Sequence, residues 1–227
     1  EENAQRKVED CRRNGVPVVL SGHKGWAQFA QEWVKSDQTG RLDLSEEHEL
    51  DIDRIKQLVG DEHVPIVKRN YDEMHPITDS IPLSKFLDTS WPRQKTRSKL
   101  YLHQWQFPLS DTAAPIMCGS ASHHPLPHGI LGEDLLQFWK DEFFSPLQYI
   151  FMGAPDTISK LHRDPGGLMI TIAPVVGQKE VTLVHRADGA DCLYHLEASL
   201  EKPDIDCFPM MNFARIWKSV LVPGEIL

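Results

Sequence analysis

The sequence predicts a β barrel or jelly roll fronted by helices. Three observations carry that fold class. The second half holds several short strand-like runs at close spacing, with Gly and Pro between them. The first half places apolar residues at helical spacing. The chain has 227 residues, 41% hydrophobic and 25% charged, which suits one large domain with a real core and excludes a disordered composition.

The elements follow in order. Glu1 to Asn14 is a polar stretch stopped by Gly15, and is predicted as a helix. Val16 to Leu20 is a short β-branched run ending at Ser21-Gly22, a strand. Trp26, Phe29, Ala30 and Trp33 mark a helix over Trp26–Val34. Leu50, Ile52, Ile55 and Leu58 mark another, ended by Gly60. Short helices are expected at Pro82–Leu87 and Leu131–Lys140. Leu147–Met152, Leu168–Ala173, Glu180–His185 and Ile216–Val222 read as strands, the last stopped by Pro223-Gly224.

Composition removes several function classes. Lys plus Arg is 24 against 33 Asp plus Glu, a net charge of −9. That balance argues against a nucleic-acid partner gripped through its phosphates and suits a basic peptide. The apolar runs, such as Val16–Leu20 and Met169–Val176, are too short to span a bilayer, so no membrane is expected. Glu1 opens a charged segment with no secretory signal. Cys11, Cys118, Cys192 and Cys207 form no C-x-x-C pair, neither a zinc ribbon nor a disulfide framework. An intracellular setting, nuclear or cytoplasmic, is the expectation.

The chemistry centres on His162-Arg163-Asp164. On a strand, residues i and i+2 share a face, so the imidazole and the carboxylate would project together into a barrel. They would supply two corners of a 2-His-1-carboxylate site for Fe(II). Chance alone gives roughly 1.6 H-x-D/E matches at this composition, and His195-Leu196-Glu197 is a second one. The same tripeptide opens the protein-kinase catalytic loop, but that signature needs an asparagine where Met169 stands, together with a glycine-rich loop and a D-F-G. Lys179 falls in Gly177-Gln178-Lys179-Glu180-Val181-Thr182-Leu183. In a strand it would share an apolar interior face with Val181 and Leu183, where a lysine needs an anionic partner. An edge lysine reaching water is the plain alternative. His123, His124 and His128 lie among Pro125, Pro127 and Gly129 and read as a solvated loop.

With these residues in place, the chain resembles the JmjC and cupin-like 2-oxoglutarate oxygenases, nearest to the branch of the asparaginyl hydroxylase that inhibits hypoxia-inducible factor. Gly15-Val16-Pro17-Val18-Val19-Leu20 with Gly25-Trp26 resembles the family's opening strand and tryptophan. Ile81–Leu87 resembles the helix before the first core strand. Lys99–Trp105 resembles the strand with a co-substrate tyrosine, here Tyr101. Ser159, three residues before His162, stands at a co-substrate contact, and Gly177-Gln178-Lys179 resembles the lysine strand. Cys192–His195 and Asp206–Pro209 resemble the insert between the barrel halves. Val222–Leu227 resembles the start of the second metal motif.

The resemblance implies one JmjC/cupin-like domain over 1–227, mainly β. Its core would be a double-stranded β-helix (jelly roll) over 96–227, with a largely helical front over 1–95. It implies an Fe(II)- and 2-oxoglutarate-dependent dioxygenase, a protein hydroxylase before a demethylase. His162 and Asp164 would hold the metal, and Lys179, Tyr101 and Ser159 would hold 2-oxoglutarate. Molecular oxygen and a protein or peptide substrate are the implied partners, with a homodimer formed through segments outside this chain. The distal histidine is expected beyond Leu227, and Leu168 replaces an asparagine frequent in relatives. Those two departures motivate the alternative of a cupin-like binding module without catalysis. A zinc-bound cupin enzyme, in which Lys179 has no task, is the third reading.

Overall fold

The computed structural model describes residues 2–31, 33–35, 49–68, 79–90, 100–107, 148–155, 157–164 and 170–227. The expected helix Leu131–Lys140, the loop of His123, His124 and His128, and Cys118, Leu168 and Met169 lie outside these residues.

Helix α1 spans Glu2–Asn14 and buries none of its residues. Gly15 ends it at φ 66°. The Val16 amide bonds to the Cys11 carbonyl at 2.9 Å and the Gly15 amide to the Arg12 carbonyl at 3.2 Å. This is a Schellman stop, which needs a residue without Cβ strain at the left-handed position. Hydrogen bonds from Arg12, then Arg13, hold the Glu9 carboxyl down to about 2.

The run Val16–Leu20 forms strand only at its end. Strand β1 is Leu20–Ser21. Helix α2 (Lys24–Gln31) and helix α3 (Ile52–Val59) follow. The Asp51 side chain caps α3 by accepting from the Arg54 amide at 3.1 Å. Strand β2 (His63–Lys68) and strand β3 (Asp79–Pro82) put antiparallel pairing into a front expected to be largely helical. Helix α4 covers Leu83–Ser90, strand β4 Leu100–Phe107 and strand β5 Gln148–Gly153.

The four strands form one antiparallel sheet in the order β3-β2-β4-β5. Pro65 lies inside β2 opposite Ser80 of β3, but outside the ladder with β4, which covers only Ile66 to Lys68. One face of the sheet meets the helices. Trp33, Ile55, Val59, Leu83, Phe86 and Leu87 pack with Val64, Ile66, Leu102, Trp105 and Met152 in the larger core.

Strand β6 (Lys179–Val184) pairs antiparallel with strand β7 (Ile216–Leu221), from Lys179 opposite Leu221 to Val184 opposite Ile216. Between them lie the short helix α5 (Asp188–Asp191) and 3-10 turns at Tyr194–Leu196 and Pro209–Phe213. This connection builds a second core around Leu193, Ala198 and Met211, joined by Leu161, Val184 and Phe208. After the Pro223-Gly224 turn, strand β8 (Glu225–Ile226) pairs with β1. Residues 170–173 were expected as strand and form none, although Ile172 and Leu227 exchange two backbone hydrogen bonds, 3.0 and 2.9 Å long.

Candidate functional site

The structure brings His162 and Asp164 together, by a different route from the one expected. Residues 157–164 form no strand. The pair does not ride on a ladder. It sits on an irregular segment in which alternate side chains still diverge. Leu161 enters the second core. His162 Nε2 lies 3.7 Å from Asp164 Oδ1, with the two side chains 57% and 38% exposed.

The imidazole is oriented from behind. Its Nδ1 lies 2.7 Å from the Lys160 carbonyl oxygen. A carbonyl can only accept, so Nδ1 carries the proton and donates. In the neutral ring, Nε2 then keeps its lone pair on the side of Asp164. Histidine ligands of metals are fixed in this way, by a hydrogen bond through the other ring nitrogen. The separation also fits one divalent ion. Two bonds of about 2.1 Å place donor atoms ~3.4 Å apart at a tetrahedral angle and at most ~4.2 Å apart. Among the described residues, no third His, Cys, Asp or Glu joins them in a metal-sized group.

Tyr101 lies on β4 opposite Gly153 of β5 and is 8% exposed. A Cβ on Gly153 would come within 2.5 Å of the Tyr101 ring and of Thr157 Oγ1, so the glycine is what lets the ring lie there. His103 and Phe151 flank Tyr101 at ring-centroid distances of 6.2 and 6.3 Å. This face of the sheet is opposite the one carrying Leu102 and Met152 into the larger core.

Ser159 is exposed on the segment that carries His162. Lys179 corrects the expectation of an interior lysine. It is the first residue of β6 and is exposed, whereas Val181, two residues on, is buried. At the strand end the face it shares with Val181 has already reached solvent. His195 and Glu197, the second H-x-E pair, lie at the 3-10 turn between β6 and β7, and both are exposed.

Sequence reasoning missed four contributors. Thr157 packs beside Tyr101 and donates to the Ala154 carbonyl at 2.9 Å. The Lys160 carbonyl is a backbone group and has no sequence signal. The remaining two are Asp188 and Arg215. Asp188 Oδ2 accepts from Arg215 Nε at 2.9 Å and from its amide at 2.8 Å, and Oδ1 accepts from Nη2 at 2.6 Å. The Arg215 side chain, and then its amide, hold the Asp188 carboxyl well below the usual carboxylate range.

A family model described as a cupin-like domain matches residues 4–227. No curated protein matches the chain. Among the described residues, no helix is long and apolar enough to cross a membrane.

Proposed function

Because this chain belongs to the cupin-like domain family, which includes 2-oxoglutarate-dependent oxygenases, we propose that it is an Fe(II)- and 2-oxoglutarate-dependent dioxygenase acting as a protein hydroxylase. The observation that carries this reading is the placement of the two ring nitrogens of His162. Its Nδ1 proton is committed to the Lys160 carbonyl and its Nε2 is turned to Asp164 at 3.7 Å.

In this reading the antiparallel sheets belong to a double-stranded β-helix. Bound iron would supply activation of molecular oxygen coupled to decarboxylation of 2-oxoglutarate. The chain's own residues do the positioning. His162 and Asp164 present one neutral and one anionic donor to the same ion. The Lys179 ammonium faces a carboxylate of 2-oxoglutarate, and the hydroxyls of Tyr101 and Ser159 donate to it. A second histidine would complete the ligand set. The net charge of −9 favours a basic protein or peptide segment as substrate in an intracellular setting. The finer placement beside the asparaginyl hydroxylase rests on the motif order alone.

The test is calorimetric, with the full-length protein under anaerobic conditions. His162→Ala and Asp164→Ala should each weaken Fe(II) binding by more than about 100-fold. Lys179→Met should leave iron binding intact and weaken 2-oxoglutarate by roughly 10- to 100-fold, the worth of one charge-assisted hydrogen bond. Undiminished iron binding in Asp164→Ala would sink the assignment. The second reading, a cupin-like binding module without catalysis, is favoured by the exposure of Lys179. It wins if the wild type takes up no 2-oxoglutarate.

A further inference from the structure

The segment that carries His162 and Asp164 has no ladder to hold its shape. Something else must set the 3.7 Å between the two side chains. The residues on either side of His162 supply it. Leu161 packs into the second core against the connection between β6 and β7. Arg163 reaches the same connection at another point. Its Nη2 donates to the Arg186 carbonyl at 3.4 Å. The same nitrogen lies 3.4 Å from where a Cβ on Gly189 would stand, so a side chain there would crowd it.

The turn that receives Arg163 is itself braced. The Asp188 amide donates to the His185 carbonyl at 2.9 Å. The Ala187 amide donates to His185 Nδ1 at 3.2 Å. The buried Asp188 carboxylate takes three hydrogen bonds from Arg215, at the entry to β7. The Arg186 carbonyl therefore lies in a turn whose neighbouring residues are held by these hydrogen bonds.

We propose that Arg163 is a positioning residue, docking the ligand segment onto the turn braced by Asp188 and Arg215 and thereby setting the spacing of the His162–Asp164 pair. This rests on the reading of that pair as a metal site. Electrostatics and positioning predict opposite signs. Removing a guanidinium beside a cation site should tighten cation binding by Coulomb's law alone. Loss of positioning should weaken it.

The experiment uses the full-length apo protein and four forms: wild type, Arg163→Ala, Arg163→Lys and Arg186→Ala. Three quantities are measured: Mn(II) affinity by calorimetry, amide hydrogen exchange over residues 159–164, and the thermal midpoint. Arg163→Ala is expected to weaken Mn(II) about tenfold, the low end for a group acting through a ligand's surroundings. It should also speed exchange in the segment, with the midpoint unchanged because the side chain is exposed. Arg163→Lys keeps a donor and should recover part of the affinity. Arg186→Ala keeps the carbonyl that Arg163 uses and should not weaken Mn(II). Unchanged or tighter Mn(II) binding in Arg163→Ala overturns the proposal, as does unchanged exchange in the segment. A wild type that binds no Mn(II) sinks the metal reading itself and the proposal with it, and that failure shows in the wild type rather than in the variant.

Discussion

Asp188 is the one buried charged side chain among the described residues, and its environment explains why it can be. A carboxylate removed from water needs its lone pairs filled, and Arg215 fills them with a two-pronged guanidinium and an amide. The lowered pKa has a definite sign. A carboxyl whose folded pKa is depressed contributes stability above its unfolded value, about 3.9, and loses it as pH falls through the folded value. Asp188→Asn is therefore expected to lower the thermal midpoint at neutral pH by on the order of a few °C. The gap from wild type should narrow below about pH 3.9, where the wild-type carboxyl begins to share its advantage with the proton. An equal gap at pH 7 and at pH 2 would show that the charge is not what matters. None of this was legible in the sequence, since 27 residues separate Asp188 from its partner. The His162–Asp164 pair was legible, because its two members are sequence neighbours and their chemistry is local. The carbonyl that orients His162 was not, because every residue has one.

At the scale of elements, β4 and β5 show what one missing side chain permits. Gly153 faces Tyr101 across the ladder, and the ring and the Thr157 hydroxyl occupy the space its Cβ would take. Gly153→Ala must push a buried ring aside. It is expected to cost about 1–3 kcal/mol by overpacking, measured by denaturant unfolding, and the proposed role of Tyr101 predicts weaker 2-oxoglutarate binding as well. Neutral stability in that variant would mean the strand pair gives more easily than its packing suggests. The sequence announced α1, α3, α4, β5, β6 and β7 through periodicity and through Gly or Pro at their ends, and β4 only through the family resemblance of Lys99–Trp105. It concealed β2 and β3. Pro65 interrupts the first, which reads against a strand, and the second is only four residues long. Residues 170–173 erred the other way. Their apolar run promised a strand, but apolar character reports burial more than hydrogen bonding, and here only Ile172 is bonded across to Leu227. The interior face assigned to Lys179 was not met, because an i, i+2 rule cannot say where along a strand the burial stops, and β6 is exposed at both Lys179 and Glu180.

Across the described residues the fold keeps two separate cores, and the division bears on function. The larger lies under the sheet β3-β2-β4-β5, with Phe86 and Ile55 fully enclosed. The smaller lies within the connection between β6 and β7, centred on Leu193, and is the one that Leu161 joins. Truncating a side chain in either should cost stability: about 3–5 kcal/mol for Phe86→Ala and about 2–5 kcal/mol for Leu193→Ala. Their consequences for residues 159–164, which carry His162 and Asp164, should differ. Leu193→Ala opens a cavity against the core that Leu161 enters, so residues 159–164 should exchange amide protons faster under conditions where the protein stays folded. Phe86→Ala lowers global stability but touches a core that this segment does not enter, so sub-global exchange in 159–164 should match wild type until global unfolding takes over. The comparison is made at matched distance from each variant's own thermal midpoint, so that stability itself cancels. Equal loosening of the segment by both variants would mean that the two cores act as one body, and the His162–Asp164 pair would then owe its geometry to the fold at large rather than to the β6–β7 connection.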